Sequence, residues 1–207
     1  MEPETLNLPV LALRGLTVFP HTNLTFDVER HISMKALEVA METGQEIFLV
    51  TQREINVEKP TEQDLYAIGT ISRVTQILRL GQNSLRVMVE GGRRARLKRL
   101  WQLEPYLQGQ VETAEEPESV NHGPKTEALL RQTWSLFQDY AQLAGNVAEE
   151  VIAAALDCQE PGDLADLIAQ NIALRYDDKQ AILEELSPMV RLRKLNGFLA
   201  RERDVLG

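Results

Sequence analysis

The chain has 207 residues, 43% of them hydrophobic, and a formal net charge of -9. It is long enough to bury one large or two small cores and should fold without disulfides or structural metals. Its acidity argues against non-specific nucleic-acid binding, which depends on basic side chains that meet phosphates.

Targeting and redox signals point to an ordinary intracellular protein. No stretch approaches the roughly eighteen consecutive apolar residues that a membrane helix needs, and the first residues, MEPETLN, are acidic. The sequence therefore predicts neither a membrane span nor a signal peptide. Cys158 is the single cysteine, so no internal disulfide can form. We expect a cytoplasmic protein in which Cys158 is a small apolar filler near a helix end.

Residues 8–114 carry short apolar and β-branched runs separated by turn residues, which favours strands. Apolar and polar residues alternate over residues 24–28, and the same alternation returns at residues 85–90 after a turn. The pattern predicts that Ile71 to Arg79 and Leu85 to Glu90 pair as a hairpin with one buried face.

Glycines inside or at the end of these runs predict bulges or sharp bends. They are Gly69 in one strand-like run and Gly91-Gly92 at the end of another. Such features let a small sheet curl, so we predict a partly closed barrel.

One helix interrupts the strands. Met34, Leu37 and Met41 recur at helical spacings of three and four, Ser33 is a candidate N-cap, and Gly44 follows as a stop. We expect this helix to lie across the sheet with both methionines in the core.

The period changes after an acidic, turn-rich segment. Residues Glu112 to Lys125 contain almost no large apolar side chain, so they cannot contribute much to a core. We place the domain boundary there, with a β-rich unit over residues 1–116 and a helical bundle over residues 117–207. Three apolar stripes at helical spacing follow, and they are Leu129, Leu130, Trp134, Phe137 and Tyr140; Val147, Val151, Ile152 and Leu156; and Leu164, Leu167 and Ile168.

Pro188 fits the first turn of a last, long helix. Its apolar stripe consists of Leu192, Leu195, Leu199 and Leu206 and is still apolar where the chain stops. We therefore expect this helix to continue in a longer parent protein.

Motifs of the common catalytic and metal chemistries are missing. The sequence has no phosphate loop of the form G-x-x-x-x-G-K-[ST] and no G-x-S-x-G elbow. His21, His31 and His122 lie far apart, outside any H-E-x-x-H pair or cysteine cluster. We therefore expect no catalytic residue, no cofactor and no metal site in this chain.

The strongest interaction motif is the basic run from Arg86 to Arg99, with Trp101 close behind. A small barrel with such a strand could bind RNA, with Arg93, Arg94 and Arg96 along the phosphates and an aromatic ring against a base. The alternative is a solvated strand face that pairs with neighbouring acids. We favour the second interpretation, because the overall acidity opposes phosphate attraction.

The beginning of the chain also carries a family resemblance. Leu8 to Pro20 reads LPVLALRGLTVFP, a short apolar strand that runs into Arg14-Gly15 and then a second apolar run stopped by proline. This stretch resembles the opening of the amino-terminal domain of Lon proteases. Similar blocks follow in the family's order, and they are EIFLVTQ at Glu46, DLYAIGTISRVTQILRL at Asp64, LRVMVEGGRRARL at Leu85 and LADLIAQNIALRYDDKQAILEEL at Leu164.

The resemblance spans nearly the whole chain and implies an α+β fold. It implies a partly closed, PUA-like pseudo-barrel with one helix, followed by an α-helical bundle. Full-length Lon-like proteins are cytoplasmic or organellar hexamers with an AAA-type ATPase and a Ser-Lys peptidase domain after this region, and neither is found here. ATP and Mg would belong to that missing ATPase domain.

The function that the resemblance implies is recognition without catalysis. The chain would capture unfolded or degradation-tagged polypeptides for protein quality control and help to stabilise the hexamer, with no membrane or nucleic acid as partner. Our candidate contact residues are Arg30, His31 and Ile32, which lie between a strand and a helix. We expect an apolar side chain to be exposed there among charged ones, although a solvated loop is the favoured interpretation. Two alternatives stay open, an RNA-binding PUA-like module and a free-standing adaptor of this domain type.

Overall fold

The computed structural model describes residues 2–114 and 122–207. The chain divides into two compact units, Met1–Glu115 and Glu116–Gly207. The boundary that we predicted at 116/117, and the middle of the acidic segment that carries it, lie outside the described residues.

The first unit is a six-stranded sheet with one α-helix. Its elements are β1 (Thr5–Leu13), β2 (Asn23–Val28), α1 (His31–Glu42), β3 (Glu46–Thr51), a 3-10 turn (Glu62–Asp64), β4 (Ile68–Arg79), β5 (Leu85–Gln102) and β6 (Leu107–Thr113). The strand order is β2-β5-β4-β3-β1-β6, and β6 pairs with β5 as well as with β1. That extra pairing closes five strands into a ring, while β2 extends the first half of β5. The predicted partly closed barrel with one helix is confirmed.

Strands β1 and β3 are buried on both faces. Successive side chains of a strand point to opposite faces. Val10 and Phe48 accordingly join one apolar cluster with residues of β4, β5 and β6. Their neighbours Leu11 and Leu49 join a second cluster with Met34 and other residues of α1. This double burial explains why both strands have unbroken apolar runs instead of the alternation seen in β2.

The predicted hairpin between β4 and β5 is confirmed. Arg79 pairs with Leu85, and the Leu80 amide donates to the Ser84 carbonyl at 3.0 Å across the turn. The pairing shifts where Gly91 and Gly92 pass, so the predicted bulge lies there. A Cβ on Gly91 would lie 2.0 Å from the Phe19 carbonyl oxygen, so no larger residue fits without a backbone movement.

Gly69 is not at a bulge. It pairs in regular register with Ala95, and a Cβ there would lie 2.4 Å from the Leu49 carbonyl oxygen. Close approach of a neighbouring strand, and not a change of register, explains this glycine.

Two details of α1 differ from the prediction. Ser33 is not the N-cap, because the Arg30 carbonyl accepts the first helical hydrogen bond from Met34, at 2.9 Å, and the helix begins at His31. Met34 is buried as predicted, but Met41 is 38% exposed. Met41 lies in the last turn, which reaches the surface, where the Gln45 side-chain nitrogen is 4.0 Å from its sulfur.

The second unit is a helical bundle, as predicted. Its helices are α2 (Pro124–Ala144), α3 (Glu149–Asp157), α4 (Pro161–Asn171), α5 (Tyr176–Glu184) and α6 (Pro188–Leu206). Pro188 occupies the first turn of α6 as expected. Of the predicted α6 stripe, Leu192, Leu195 and Leu199 are fully buried, but Leu206 is 47% exposed.

The second of the predicted helical stripes is partly wrong. Val147 precedes α3, and Leu156 is exposed, whereas Ala155 is fully buried. The indole nitrogen of Trp134 donates to the Ala155 carbonyl at 2.9 Å, so the small alanine lets α3 approach α2 closely.

A buried ion pair lies in the core of this unit. Arg191 is fully buried, and its Nη1 lies 3.4 Å from Oδ2 of Asp166. Its Nε donates to the Glu185 carbonyl at 2.8 Å, and Nη1 also donates to the Gly162 carbonyl at 3.3 Å. One side chain of α6 therefore joins the start of α4 to the end of α5.

Candidate functional site

An open groove of about 1130 Å³ lies at the surface of the first unit. Residues 29–32 contribute one wall, at the beginning of α1. Residues 58–61 contribute another from the loop after β3, and residues 103–105 a third from the turn between β5 and β6. The groove therefore contains all three residues that we predicted as polypeptide contacts.

Gln52, which directly follows β3, fixes the loop that forms one wall. Its side chain is fully buried, and its Nε2 donates to the carbonyls of Glu54 at 3.0 Å and Val57 at 2.9 Å. Its Oε1 accepts a hydrogen bond from Nη1 of Arg30 at 2.7 Å. The same amide thereby connects the loop to the residue that precedes α1.

Arg30 holds these walls together. Its Nη2 donates to the Ala12 carbonyl of β1 at 2.7 Å, in addition to the bond to Gln52. Burial, and secondarily the nearby charge of Arg14, lowers the pKa of Arg30 from its usual value. Most of this guanidinium is engaged in the framework, so Arg30 shapes the groove more than it contacts an occupant.

His31 and Ile32 are the first two residues of α1. His31 is exposed, while Ile32 is only partly exposed and packs against the apolar cluster inside the barrel. Ile32 therefore offers the groove only part of its side chain, and our expectation of an exposed apolar residue here is only partly met.

The lining suits a peptide segment of mixed character. Leu103 is 43% exposed, and the exposed Pro105 adds apolar surface without a backbone donor, whereas Pro60 is buried in the wall. Lys59 supplies positive charge, and Glu104 supplies negative charge, at the same rim. Apolar surface with a few polar groups is typical of a binding site.

Our sequence reasoning missed residues 58–61 and 103–105. One signal was available, because Leu103 directly precedes the turn residues Glu104-Pro105 and an apolar residue at a turn is often left exposed. For residues 58–61 no local signal existed, since their position depends on Gln52 and Arg30.

The basic strand does not form a continuous basic face. Arg94 is only 4% exposed, whereas Arg93 and Arg96 are exposed on β5. Nη1 of Arg93 lies 3.0 Å from the Glu4 carboxylate, and Arg96 lies opposite Glu112 in the strand register. The RNA-binding alternative stays a prediction that this arrangement does not favour.

Within residues 2–114 and 122–207, every helix is too short or too polar to cross a membrane. No three histidine, cysteine, aspartate or glutamate side chains in these ranges come together as metal ligands.

Comparison with known proteins identifies the family. The family model for the ATP-dependent protease La (LON) substrate-binding domain matches residues 7–201. The Lon protease of Desulforamulus reducens is 39% identical over 206 residues, which cover 100% of this chain and 25% of that protein. The Lon protease of Brevibacillus choshinensis is 40% identical over 199 residues, or 96% of this chain and 25% of its own length.

A solved structure shows the same fold. The amino-terminal domain of a Lon protease from the Mycobacterium avium complex matches with a TM-score of 0.74 at 22% identity, covering 94% of this chain and 98% of that one. The chain spans about a quarter of the length of the two curated relatives described above. With the family model and both relatives in agreement over nearly all of its length, the chain belongs to the Lon substrate-binding domain family.

Proposed function

We propose that this chain is the non-catalytic polypeptide-recognition module of an ATP-dependent, Lon-type Ser-Lys protease that degrades misfolded and regulatory proteins. The groove formed by residues 29–32, 58–61 and 103–105 binds extended, apolar-rich segments of unfolded or degradation-tagged chains. ATP, Mg and the peptidase chemistry reside in other domains of a cytoplasmic hexamer, which this domain helps to assemble.

The observation that carries this proposal is the built groove. Gln52 and Arg30 hold its walls by hydrogen bonds of 2.7 to 3.0 Å, so the site does not have to form when a client arrives. Its exposed apolar surface lies at Leu103 and Pro105, where a side chain of an extended segment can be buried. Charges of both signs at the rim suit clients of varied sequence.

Affinity for one client should be modest. A single domain offers a small surface, whereas six tethered copies around a ring would raise the effective concentration of binding sites. The 207-residue chain should bind fluorescently labelled, unfolded casein in the micromolar range or weaker, measured by anisotropy. It should neither hydrolyse ATP nor cleave the casein.

A pair of matched variants tests the groove itself. Leu103→Ser removes apolar surface from the groove and should weaken casein binding roughly fivefold, the equivalent of about 1 kcal/mol. Leu78→Ser alters a leucine of β4 that is similarly exposed, at 52%, and lies outside the groove, so its binding should match wild type. The absence of association at high protein concentration, or equal losses in both variants, would contradict the proposal.

A further inference from the structure

A smaller cleft of about 180 Å³ adjoins the groove and shares Glu29 and Arg30 with it. It lies between the end of β1, the end of β2 and the first turn of α1, and Arg14 and Ser33 also line it. The volume corresponds to roughly six water molecules. It therefore fits one side chain or one chain end, and not a peptide segment.

Positive charge in this cleft is incompletely neutralised. Arg30 donates to three neutral oxygens, which belong to the Gln52 side chain and to the carbonyls of Ala12 and Glu58. No carboxylate of the described residues makes an ion pair with it. The nearby Glu58 carboxylate raises the pKa of Arg30, but less than burial and Arg14 lower it, so the charge of this half-buried guanidinium is only partly balanced. Desolvated charges are normally paired more closely than this.

The other charged groups of the cleft and their partners are of both signs. Arg14 has one partner, the Glu58 carboxylate at 3.3 Å, whose side chain is 75% exposed. The Asp27 carboxylate accepts hydrogen bonds from Nε and Nη2 of Arg86, at 2.9 and 3.3 Å. Glu29 at the rim is an opposing charge.

The first turn of α1 reaches the same cleft at Ser33. The helix has no side-chain N-cap and no acidic residue in its first turn, so the amides of Ile32 and Ser33 lack capping partners. Ser33 is only 5% exposed, and its hydroxyl has no hydrogen-bond partner among the described residues although it lines the cleft. The positive end of the helix dipole favours an anion at this position.

We propose that the cleft binds one carboxylate of a client polypeptide, either its carboxy terminus or an acidic side chain. The carboxylate would accept hydrogen bonds from the Ser33 hydroxyl and the free amides of α1, beside the charges of Arg14 and Arg30. This inference rests on the proposed function, because the cleft and the groove share Arg30 in their walls and a client bound in the groove would therefore lie beside the cleft.

Three peptides test the inference and its source of carboxylate. The first is a six-residue apolar peptide with a free carboxy terminus, the second is its amidated twin, and the third is the amidated twin with one internal aspartate. In the ¹⁵N-labelled chain, the amide signals of Ile32 and Ser33 should shift with a carboxylate-bearing peptide only. The amidated twin should bind about tenfold more weakly than at least one of the others. Equal affinities, with no shift at these two amides, would overturn the inference.

Two variants separate the cleft from the groove. Ser33→Ala and Arg14→Gln should each weaken binding of the carboxylate-bearing peptide several-fold and leave the affinity for the amidated peptide unchanged. Arg73→Gln makes the same charge change on β4, outside the cleft, and should bind both peptides as wild type does. If casein binds but neither variant distinguishes the peptides, the carboxylate site is wrong and the groove stands. If casein does not bind at all, the proposed function itself fails.

Discussion

The two units fill their interiors in different ways. In the β unit, β1 and β3 bury apolar side chains on both faces, and the close approach of a neighbouring backbone segment requires glycine at Gly91. In the helical unit, the Arg191–Asp166 ion pair and a network of carbonyl acceptors join helices at the centre. The stability of the first unit thus depends on backbone packing, and that of the second on a satisfied buried charge.

The largest effect should come from removing one member of the buried ion pair. Arg191→Met leaves the Asp166 carboxylate buried without its cation, and we expect a loss of about 3–5 kcal/mol in the free energy of unfolding. Urea titration followed by circular dichroism measures this loss. Arg131→Gln, which breaks an exposed pair with Glu127, should change stability by less than about 1 kcal/mol.

A double variant sharpens this result. Arg191→Met combined with Asp166→Leu removes both charges, so it should regain much of the stability that the single variant loses. A double variant as unstable as Arg191→Met alone would show that the carbonyl bonds of Arg191, and not its charge pairing, hold the helices.

The packing of the β unit is tested by an added methyl group. Gly91→Ala places a Cβ at 2.0 Å from the Phe19 carbonyl oxygen, so we expect a loss of about 2 kcal/mol from the strain of overpacking. Gly81→Ala is the matched control, since nothing lies within 4 Å of a Cβ there. Equal melting temperatures for the two variants would contradict close packing at Gly91.

A smaller effect is expected from the neutral polar contact between α2 and α6. The Thr133 hydroxyl lies 2.8 Å from Oδ1 of the buried Asn196. Thr133→Val leaves the Asn196 amide without this partner and should lower the free energy of unfolding by about 1 kcal/mol. Ser135→Ala on the exposed face of α2 should leave it unchanged. If Thr133→Val left the free energy of unfolding unchanged, the contact between Thr133 and Asn196 would not contribute to the stability of this unit.

The smallest effect concerns Cys158, which follows α3. Burial raises the pKa of its thiol, and the nearby carboxylates Asp163, Glu160 and Asp157 also favour the protonated form. Because only the thiolate reacts, alkylation near neutral pH should be slower than for an unfolded cysteine and should accelerate as the pH rises. Mass spectrometry with iodoacetamide, with and without urea, measures both rates. Equal rates would mean that the folded unit does not protect the thiol.

Local sequence patterns were sufficient to predict the structure where the residues in contact are also close in sequence. The alternation in residues 85–90 and the turn at residues 81–84 specify the β4–β5 hairpin, whose contacts are local. The bulge at Gly91-Gly92 was also visible, because glycine marks places where a side chain does not fit. The start of α1 was predicted wrongly. Serine is a favourable N-cap residue, but the N-cap is Arg30, whose side chain is held by hydrogen bonds to Gln52 and Ala12, and not Ser33.

The groove and the buried ion pair could not be predicted, because both depend on contacts between distant segments. The Gln52 side chain is hydrogen-bonded both to Arg30 and to carbonyls of its own loop. No periodicity in the sequence indicates that these segments come into contact. Arg191 looks like any surface arginine in the α6 pattern until α4 and the end of α5 surround it. The predicted contacts Arg30, His31 and Ile32 meet in the groove, but their role in binding stays a prediction.

The most direct test is a map of where a client binds. The ¹⁵N-labelled chain, titrated with unfolded casein and followed by NMR, should show its largest signal changes at residues 29–32, 58–61 and 103–105. The helical unit and the basic strand at residues 93–99 should change little. Changes concentrated on the basic strand or on the α-helical bundle, with the groove unaffected, would contradict the account.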